Sequence, residues 1–369
     1  MKIALFATNI YPTPPINEKI VYAPLWLTHY IAEGLKKKGH QVYLFASDDS
    51  TSDVNIISDN LPSLSKNKEW NKAFGNSKAN WRMVLRTGYE MQLVAKLVEM
   101  AQKDKFDIIQ FHSMHFWVYL ASLMKNTPLF YSFHDPLNFP KETKAVKLIY
   151  KTFHEKKIKN AHFISLSNTQ RKPLPNLNYA GTVYNGIDVD RFKFSEKQGS
   201  YLAFAGRIIR GKGLDIAIRV AQKTNQTLKI ASPVNDHKYW EKEIKPHLGR
   251  KIIYKGMLSQ KTMVAFYQKA KAFLMPTLLE ESFGLVLTEA MSCGTPVIGF
   301  NRGAVPEIIA QGKTGFVVHN ERGMIQAVKK IDSIKREDCR QRVIENFSLQ
   351  KMIDGYEKIY LKYAKNRNR

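Results

Sequence analysis

Two glutamates separated by seven residues are the feature of the sequence with the clearest chemical meaning. They are Glu281 and Glu289, in the segment ESFGLVLTE. The segment follows an apolar run at 273–275 that predicts a strand, and it opens a predicted helix that ends near Met291. Eight positions are about 2.2 helical turns, so two carboxylates on one helix would lie about 80° apart. We expect Glu281 at the mouth of this helix and Glu289 deeper along it.

The start of the same predicted helix offers backbone donors to an anion. The N–H groups of Phe283, Gly284 and Leu285 fall at its beginning, where a helix provides no internal acceptors for them. Such groups suit a phosphate or a sugar hydroxyl, and Gly284 lets a ligand approach the backbone closely. A lone glutamate at a helix start is equally typical of a simple interaction with the helix dipole. The second glutamate and the Phe-Gly pair favour a functional site.

Two basic residues follow another apolar strand in the same half of the chain. Arg207 comes directly after the strand predicted at 201–205 and one glycine, and Lys212 stands between Gly211 and Gly213. A lone Arg and Lys at this spacing are typical of a solvated pair. Their position after a strand, with glycines on both sides of the lysine, favours phosphate binding instead.

Histidines follow two predicted strands in the first half of the chain. His134 lies between an apolar strand and Asp135-Pro136, which favours a functional role. His112 and His115 follow the strand predicted at 107–111 and could line a ligand pocket or serve a structural role. Cys293, within the packed segment after Glu289, is interpreted as a small buried residue rather than a nucleophile.

The elements that must position these side chains alternate between short strands and longer helices. Strands are predicted at 3–7, 42–46, 106–111 and 129–133, and again at 201–205, 227–231, 251–254, 272–275, 296–299 and 315–318. This alternation indicates parallel sheets covered by helices, which bind ligands at their carboxyl ends. We predict an α/β protein with two facing doubly wound, Rossmann-like domains and a cleft between them. The domains are 1–185 and 186–348, with a helix at about 349–369 packing back on the first.

Composition restricts the class of protein and raises the question of its partner. The 369 residues contain 57 Lys and Arg against 32 Asp and Glu, a formal net charge of +25. Two cysteines exclude a disulfide framework and indicate a reducing, cytoplasmic compartment. No apolar run is long enough to predict a transmembrane helix. The charge indicates an anionic partner: a nucleic acid, an anionic membrane surface or a phosphorylated ligand.

Two segments concentrate the positive charge. Lys141–Lys172 contains nine basic residues and two acidic ones, and is either a basic amphipathic helix on anionic lipid or an ordinary surface helix with solvated lysines. Lys66–Arg86 alternates aromatic and basic residues, and could be an acceptor lid, a membrane contact or an ordinary helical pair. Basic residues are otherwise spread along the chain without a nucleic-acid motif, so nucleic acid is the least favoured partner.

The segment from Glu281 to Pro296 (ESFGLVLTEAMSCGTP) resembles the donor-binding motif of the family 4 retaining glycosyltransferases, which have the GT-B fold. The stretches SPVNDHKYWEKEIKPHL and PEII are similar to the branch of that family containing an avilamycin-pathway enzyme. The resemblance spans nearly the whole chain, because four further segments agree in order and spacing. These are Gly39-His40-Gln41-Val42, His134-Asp135, Asn185-Gly186-Ile187-Asp188, and Ala205-Gly206-Arg207 with Lys212-Gly213.

The resemblance implies a role for each charged candidate. Glu289 would bind the ribose hydroxyls of a nucleotide, and Glu281 would bind hydroxyls of the donor sugar. Arg207 and Lys212 would bind the diphosphate and stabilise the charge that grows on it as the glycosidic bond breaks. His134 would lie beside the reacting sugar carbon.

The resemblance also implies backbone contacts with the donor. The N–H groups of Phe283, Gly284 and Leu285 would hold sugar or phosphate, and backbone atoms of Gly256 and Met257 would contact the base. One departure concerns the first loop, where many members carry a Gly-Gly pair. Here Pro14–Lys19 has no glycine. Asn17 tolerates unusual backbone angles and is the predicted replacement.

The implied reaction is transfer of a sugar from a UDP- or GDP-linked donor to a hydroxyl of a lipid, glycan or small-molecule acceptor, with retained anomeric configuration. No cofactor and no metal are expected, since the two cations replace a metal and the sequence lacks a metal-binding motif. The expected location is the cytoplasm, with peripheral contact at the inner face of the membrane through Lys141–Lys172. The alternatives are a non-catalytic GT-B scaffold and a basic protein that binds nucleic acid or membrane.

Overall fold

A computed structural model of the protein describes residues 1–15, 22–103, 105–112, 120, 124, 127–135 and 160–365. The contacts divide the chain into two compact units. The first unit comprises Met1–Leu166, Pro173–Val183 and Met352–Arg369, and the second comprises Ser167–Lys172 and Tyr184–Lys351.

The described part of the first unit is built on a seven-stranded sheet in the order β3-β2-β1-β4-β5-β6-β7. All of its strand pairs are parallel. The strands are β1 (Lys2–Phe6), β2 (Gln41–Phe45), β3 (Asn55–Ile57), β4 (Ile108–Phe111), β5 (Leu129–Ser132), β6 (Ala161–Ser165) and β7 (Tyr179–Thr182).

The second unit repeats this plan with a six-stranded sheet in the order β10-β9-β8-β11-β12-β13. Its strands are also parallel. They are β8 (Tyr201–Ala205), β9 (Leu228–Ala231), β10 (Ile252–Tyr254), β11 (Ala270–Met275), β12 (Val297–Phe300) and β13 (Gly315–Val318).

Helices connect the strands in both units. In the first unit they are α1 (Ala23–Lys37), α2 (Lys68–Asn76) and α3 (Ala79–Lys103). The second unit has α4 (Leu214–Lys223), α5 (His237–Tyr239), α6 (Gln260–Gln268), α7 (Leu285–Ser292), α8 (Val305–Ile308), α9 (Glu321–Lys330) and α10 (Arg336–Asn346). The last helix, α11 (Leu349–Lys365), belongs to the first unit from Met352 onward. Within the described part of the chain, no helix is both long and apolar enough to cross a lipid bilayer.

The strand sequences explain why both sheets are covered by helices. Every residue of β4, β5, β6, β8 and β12 is buried. Strands buried on both faces are mostly apolar along their length rather than alternating, as expected for parallel sheets. Helix α1 follows the same logic: Leu27, Ile31 and Leu35 are buried along one side. The chain then turns into β2 through Gly39, whose φ of +84° favours glycine.

A single carboxylate holds the segment Ser167–Lys172 in the second unit. Glu307 of α8 accepts hydrogen bonds from the backbone N–H groups of Asn168 and Thr169, at 2.9 and 2.8 Å. It also accepts one from the hydroxyl of Tyr184 at 2.8 Å. Burial acts to raise the pKa of Glu307, but these hydrogen bonds outweigh it and hold the pKa below its ordinary value. The charged form of Glu307 is therefore the one that fixes this segment.

Each sheet contains one point at which the chain changes direction across it. In the first unit the point lies between the adjacent strands β1 and β4, and in the second it lies between β8 and β11. Loops leaving two such strands diverge at the carboxyl edge and leave a crevice, where doubly wound sheets bind ligands. These two edges are therefore the places to look for functional side chains.

Most of the predicted strands are confirmed, with their ends shifted by at most two residues. The sequence did not predict β3, β6 or β7, nor the full 25-residue length of α3. Glu281 lies in the loop four residues before α7, which begins at Leu285, so the 80° separation expected for two glutamates on one helix does not apply. Three predicted features lie outside the described residues: His115, Asn17 and residues 141–159 of the Lys141–Lys172 segment.

Candidate functional site

An ion pair between two predicted residues marks the carboxyl edge of the second sheet. Lys212 follows β8 and Glu281 follows β11, and the lysine Nζ lies 2.5 Å from Glu281 Oε1. Both side chains are mostly buried, at 18% and 13% exposure. The hydroxyl of Thr277 donates to the same oxygen at 3.0 Å. Among the described residues Oε2 receives no hydrogen bond, so this oxygen remains available to a ligand.

Glycines join the two loops that carry this pair. The loop of Lys212 is a short 3₁₀ turn, Arg210–Lys212, that ends at Gly213 with φ +70°. A Cβ on Gly213 would lie 2.2 Å from the carbonyl oxygen of Pro276, so only glycine permits this approach. The carbonyl of Gly211 accepts a hydrogen bond from the N–H of Leu278 at 2.8 Å. Close backbone contact thus brings Lys212 to Glu281.

A third loop, after β12, fixes the backbone of Glu281. The N–H of Ala304 donates to the carbonyl of Glu281 at 2.9 Å, and the N–H of Gly303 donates to Glu280 Oε2 at 2.6 Å. Gly303 has φ +51°, and a Cβ there would lie 2.3 Å from both the nitrogen and the oxygen of Glu281. The sequence prediction overlooked Thr277 and Gly303 as parts of the site. The turn-forming sequence Asn301-Arg302-Gly303 was the only available signal for the second of them.

The predicted anion-binding backbone lies where the sequence placed it, at the start of α7. Gly284 is the N-cap residue with φ +103°, and Leu285 is the first helical residue. A helix offers no internal acceptor for its first N–H groups. The side chain of Phe283 is 2% exposed and packs against Tyr184 and Phe347, with ring centroids 6.1 and 5.7 Å apart. Only the backbone of Phe283 is thus placed to meet a ligand.

Glu289 lies one turn further along α7. The hydroxyl of Tyr267 donates to its Oε2 at 2.8 Å. Burial raises the pKa of Glu289, while the Tyr267 hydrogen bond and the charge of Arg191 oppose that rise. The angle of 80° predicted between Glu281 and Glu289 around one helix does not apply, because only Glu289 belongs to α7. Glu281 lies in the loop after β11, whereas Glu289 lies on α7 and contacts Tyr267 of α6.

Two arginines of α10 hold the carboxyl end of α7. Arg336 is 7% exposed and donates to the carbonyl oxygens of Ala270 and Cys293, at 3.1 and 3.2 Å. Arg340 donates to the carbonyl of Ser292 at 3.2 Å and to its hydroxyl at 2.7 Å. Cations at a helix carboxyl end offset the negative end of the helix dipole. Cys293 is fully buried and burial raises the pKa of its thiol to about 12, which confirms its interpretation as a packing residue.

The remaining predicted donor contacts stand at the ends of β8 and β10. Arg207 is exposed, and its guanidinium makes no hydrogen bond with the described residues. Gly256 has φ +69°, and its carbonyl accepts a hydrogen bond from the N–H of Ser232 at 2.9 Å. Met257 is 36% exposed. The hydroxyl of Ser232 is buried and has no partner in the described part of the chain.

Two histidines meet at the carboxyl edge of the first sheet. His112 follows β4 and His134 follows β5, and Nδ1 of the first lies 3.2 Å from Nε2 of the second. Burial lowers the pKa of His134 to about 4. Burial and the neighbouring ring lower the pKa of His112 well below its ordinary value. Both rings are therefore neutral near neutral pH.

A buried carboxyl group that the sequence did not single out lies at the end of β1. Glu90 of α3 is fully buried and accepts a short hydrogen bond from the hydroxyl of Thr8. Burial raises the pKa of Glu90, opposed by the charge of Arg86. Its other oxygen, Oε2, has no partner among the described residues. Glu90 lies in the middle of a long helix, away from any recognisable motif, and no signal in the sequence marked it.

The structure thus brings Lys212 and Glu281 together at the carboxyl edge of the second sheet, whereas Glu289 lies further along α7 and contacts Tyr267. Arg207 follows β8 and Gly256 follows β10, and β9 lies between these two strands in the sheet. His134 belongs to the first unit, and Asn17 lies outside the described residues.

Two family models match the chain, one in each half. Residues 187–349 match the model described as Glycosyl transferases group 1. Residues 26–191 match the model described as Glycosyltransferase Family 4. A Klebsiella pneumoniae protein, named as an uncharacterized 41.2 kDa protein in the cps region, is 31% identical over 202 residues, covering 49% of this chain and 54% of the relative. The chain spans about half the length of the curated relatives it matches.

Solved structures share the fold over the whole length. AviGT4, a glycosyltransferase involved in avilamycin A biosynthesis, is 16% identical with a TM-score of 0.68, covering 99% of this chain and 98% of that chain. Alr3699/HepE of Anabaena, solved in complex with UDP, is 17% identical with a TM-score of 0.69, covering 98% and 100%. At these identities the likeness shows the fold alone, and the predicted GT-B fold is confirmed.

Proposed function

We propose that this chain, which belongs to the family 4 glycosyltransferases, transfers a sugar from a nucleotide-sugar donor to an acceptor hydroxyl and retains the anomeric configuration. The predicted family is confirmed by the two family models. The donor, the stereochemistry and the residue roles that follow are the proposal.

The observation that carries the proposal is the Lys212–Glu281 pair beside the start of α7. An ammonium group, a carboxylate and the first N–H groups of α7 lie at the point where the second sheet changes direction. An anionic diphosphate suits the lysine and the helix start, and a polyhydroxylated sugar suits the carboxylate. A nucleotide sugar carries both groups in one molecule.

The proposed reaction breaks the bond between the anomeric carbon and the diphosphate oxygen, and it forms a bond between that carbon and the acceptor oxygen. The acceptor's proton passes to the leaving phosphate oxygen on the same face, and a nucleoside diphosphate leaves. Negative charge therefore grows on the diphosphate, and a fixed cation stabilises it. An ammonium group has three N–H donors, so Lys212 can bind the diphosphate and keep its bond to Glu281.

Each predicted residue has a defined place in this proposal. Oε2 of Glu281 accepts a hydrogen bond from a hydroxyl of the donor sugar, while Oε1 keeps its hydrogen bonds from Lys212 and Thr277. Arg207 is exposed and free to turn toward the diphosphate. Glu289, held by Tyr267, accepts the ribose hydroxyls.

Backbone groups and one histidine complete the set. The N–H groups of Phe283, Gly284 and Leu285 bind sugar or phosphate, and backbone atoms of Gly256 and Met257 contact the base. The carbonyl of Gly256 is already bonded to Ser232, so we assign the base contact to the N–H groups. His134 takes the position beside the reacting carbon that the family resemblance implies, as a neutral hydrogen-bonding group.

The donor nucleotide is UDP or GDP in this proposal, and the reaction needs no metal ion. UDP has support from a solved relative of the same fold, Alr3699/HepE, which was crystallised with UDP. The acceptor is a lipid, a glycan or a small molecule. Peripheral membrane contact through Lys141–Lys172 stays a prediction, because residues 141–159 lie outside the described residues.

A panel of nucleotides and nucleotide sugars tests the proposal. At a ligand concentration one hundred times the dissociation constant, binding stabilises the native state by about 2.7 kcal/mol. We expect UDP or GDP and their sugars to raise the melting temperature by several degrees, and release of the nucleoside diphosphate from one sugar donor. Excess chelator should leave that release unchanged. No thermal shift with any nucleotide would refute the donor site, and loss of activity in chelator restored by Mn²⁺ would refute metal independence.

A further inference from the structure

We propose that the turn joining α2 to α3, residues 72–84, is a membrane-docking tip that binds the surface of an anionic phospholipid bilayer. The inference concerns the first unit alone and does not depend on the proposed reaction.

Large apolar side chains stand in water at this tip. Trp81, Met83 and Val84 are 59%, 53% and 55% exposed, the highest values among the large apolar residues of the described chain. All five residues from Asn80 to Val84 are exposed, so the apolar side chains of this turn are not covered by the protein. Single exposed apolar residues are normal, but three within four positions form a patch that needs an explanation.

Hydrogen bonds between α2 and α3 hold the tip in place. The guanidinium of Arg82 donates to three carbonyl oxygens at the end of α2, those of Phe74, Gly75 and Ser77, at 3.1, 3.0 and 2.9 Å. The hydroxyl of Ser77 donates to the carbonyl of Ala73 at 2.7 Å. These bonds fix the turn and hold the first residues of α3 outward.

The base of the same helical pair is anchored in the protein. Trp70 and Phe74 pack against the buried cluster of Ile10, Leu64 and Tyr89. The rings of Trp70 and Tyr89 meet edge to face with centroids 5.0 Å apart. The apolar residues of α2 are thus used internally, whereas those at the start of α3 are left for an external partner.

The charge around the tip identifies the partner. Residues 66–86 contain six basic residues and one acidic residue. Lys72 and Lys78 are exposed and pair with no described carboxylate. An exposed tryptophan with aliphatic neighbours and free lysines is suited to the boundary between acyl chains and anionic headgroups. A protein partner of similar size would require apolar surface without this surplus of cations.

Vesicle sedimentation tests the proposal directly. We expect the full chain to bind vesicles of phosphatidylglycerol and phosphatidylcholine in equal parts, and to bind phosphatidylcholine vesicles at least about tenfold more weakly. Trp81→Glu/Val84→Glu should reduce binding to the mixed vesicles at least about tenfold. The matched control is Leu361→Glu, at an apolar residue of α11 with 38% exposure, which should bind like the wild type.

Two further measurements separate the charge from the apolar contact and from other partners. Lys72→Gln/Lys78→Gln should weaken binding to the mixed vesicles, whereas the control Lys351→Gln/Lys358→Gln, at two exposed lysines, should not. Added salt should weaken vesicle binding of the wild type in the same way. Brominated lipid should quench more tryptophan emission in the wild type than in Trp81→Phe. Equal binding by the tip and control variants would overturn the proposal. A dimer in solution that Trp81→Glu dissociates, without any vesicle binding, would assign the patch to a second copy of this chain instead.

Discussion

The two sheets have the same strand order around the point where the chain changes direction, but the side chains that pair at their carboxyl edges differ in charge. In the second unit the loops after β8 and β11 bring together a cation and a carboxylate, Lys212 and Glu281, 2.5 Å apart. In the first unit the loop after β4 and its neighbour after β5 bring together two neutral imidazoles, His112 and His134. Burial keeps these two rings uncharged, because it lowers the pKa of each.

The difference shows how one sheet plan produces two kinds of binding edge. At the second edge, Gly213 and Gly303 allow the backbones of neighbouring loops to pack closely, which holds Lys212 and Glu281 in place without a ligand. Preorganised charge of this kind stabilises charge that develops on a bound anion. Neutral, desolvated rings at the first edge suit uncharged hydroxyl groups instead. The comparison therefore assigns the charged half of the proposed reaction to the second unit, and each prediction below tests that assignment.

Removal of the cation at the second edge should have the largest effect. Lys212→Ala removes the charge proposed to stabilise the leaving diphosphate, and it leaves Glu281 with only the Thr277 hydroxyl. We expect turnover to fall about 10²- to 10³-fold, with a much smaller change in the affinity for nucleoside diphosphate. Steady-state kinetics and titration calorimetry measure the two quantities separately.

Two lysine controls make that result specific. Lys212→Arg retains the charge in a different shape and should recover part of the turnover. Lys223→Ala removes a more exposed lysine of the same unit that pairs with Glu321, and should leave turnover unchanged. Equal losses of turnover in Lys212→Ala and Lys223→Ala would mean that the charge of Lys212 has no specific role in the reaction.

The glycine contacts at the second edge give the next prediction. Gly303→Ala would place a Cβ 2.3 Å from the backbone of Glu281, in addition to the strain of φ +51°. A positive φ costs an alanine about 1–2 kcal/mol, and overpacking adds about 1–3 kcal/mol. We expect a lower melting temperature and an affinity for the donor that falls at least about tenfold, since Glu281 must move.

Gly312→Ala is the matched control for the glycine at 303. Gly312 has φ +72°, but nothing lies within 4 Å of a Cβ there. It should show the backbone strain alone, as a smaller drop in melting temperature with unchanged donor affinity. If both variants bind the donor equally well, the loop after β12 does not position Glu281.

The same loop shows what the sequence could and could not reveal. Spacing and residue type predicted Lys212, Glu281 and the N–H groups at the start of α7, because local patterns mark strand ends and helix starts. The prediction placed Glu281 at the mouth of the helix, whereas the helix begins four residues later, after Gly284, whose φ of +103° is not helical. Gly303 was overlooked as a contact of Glu281, since it meets that residue across 22 positions of the chain.

The first unit was harder to predict for a related reason. The apolar runs of β6 and β7 are interrupted by His162 and Gly181, which weakens their strand pattern. Glu90 is recognisable only through its burial and its bond to Thr8, 82 residues away. Burial of a polar group is a property of tertiary packing, so no local pattern announces it. The strand core was predictable and the polar contacts between loops were not.

The support of Glu289 allows a finer test of the second edge. Glu289→Ala removes the proposed acceptor of the ribose hydroxyls, and we expect about 10- to 100-fold weaker binding of nucleoside diphosphate. Turnover at saturating donor should change far less than in Lys212→Ala.

Tyr267→Phe keeps the buried ring and removes only the hydroxyl that donates to Glu289 at 2.8 Å, so it should weaken binding by about tenfold or less. A larger loss in Tyr267→Phe than in Glu289→Ala would show that the tyrosine, and not the carboxylate, meets the nucleotide.

The smallest expected effect is a loss of stability in acid, which the histidine pair of the first unit should cause. The folded state holds His134 with a pKa of about 4, whereas an unfolded histidine has a pKa of about 6.5. Below that value the unfolded state binds protons that the folded state refuses, so the free energy of unfolding falls as the pH decreases from about 6.5 toward 4. We expect a loss of about 1–3 kcal/mol over this range, measured by urea unfolding.

His134→Asn should flatten the dependence of the free energy of unfolding on pH, because it removes one ring and the proton that this ring would take up. His319→Asn, at an exposed position of the second unit, should leave the curve unchanged. If His134→Asn and the wild type lose stability in parallel, the neutral pair is not what distinguishes the first edge, and the electrostatic contrast between the two sheets reduces to the charges of the second.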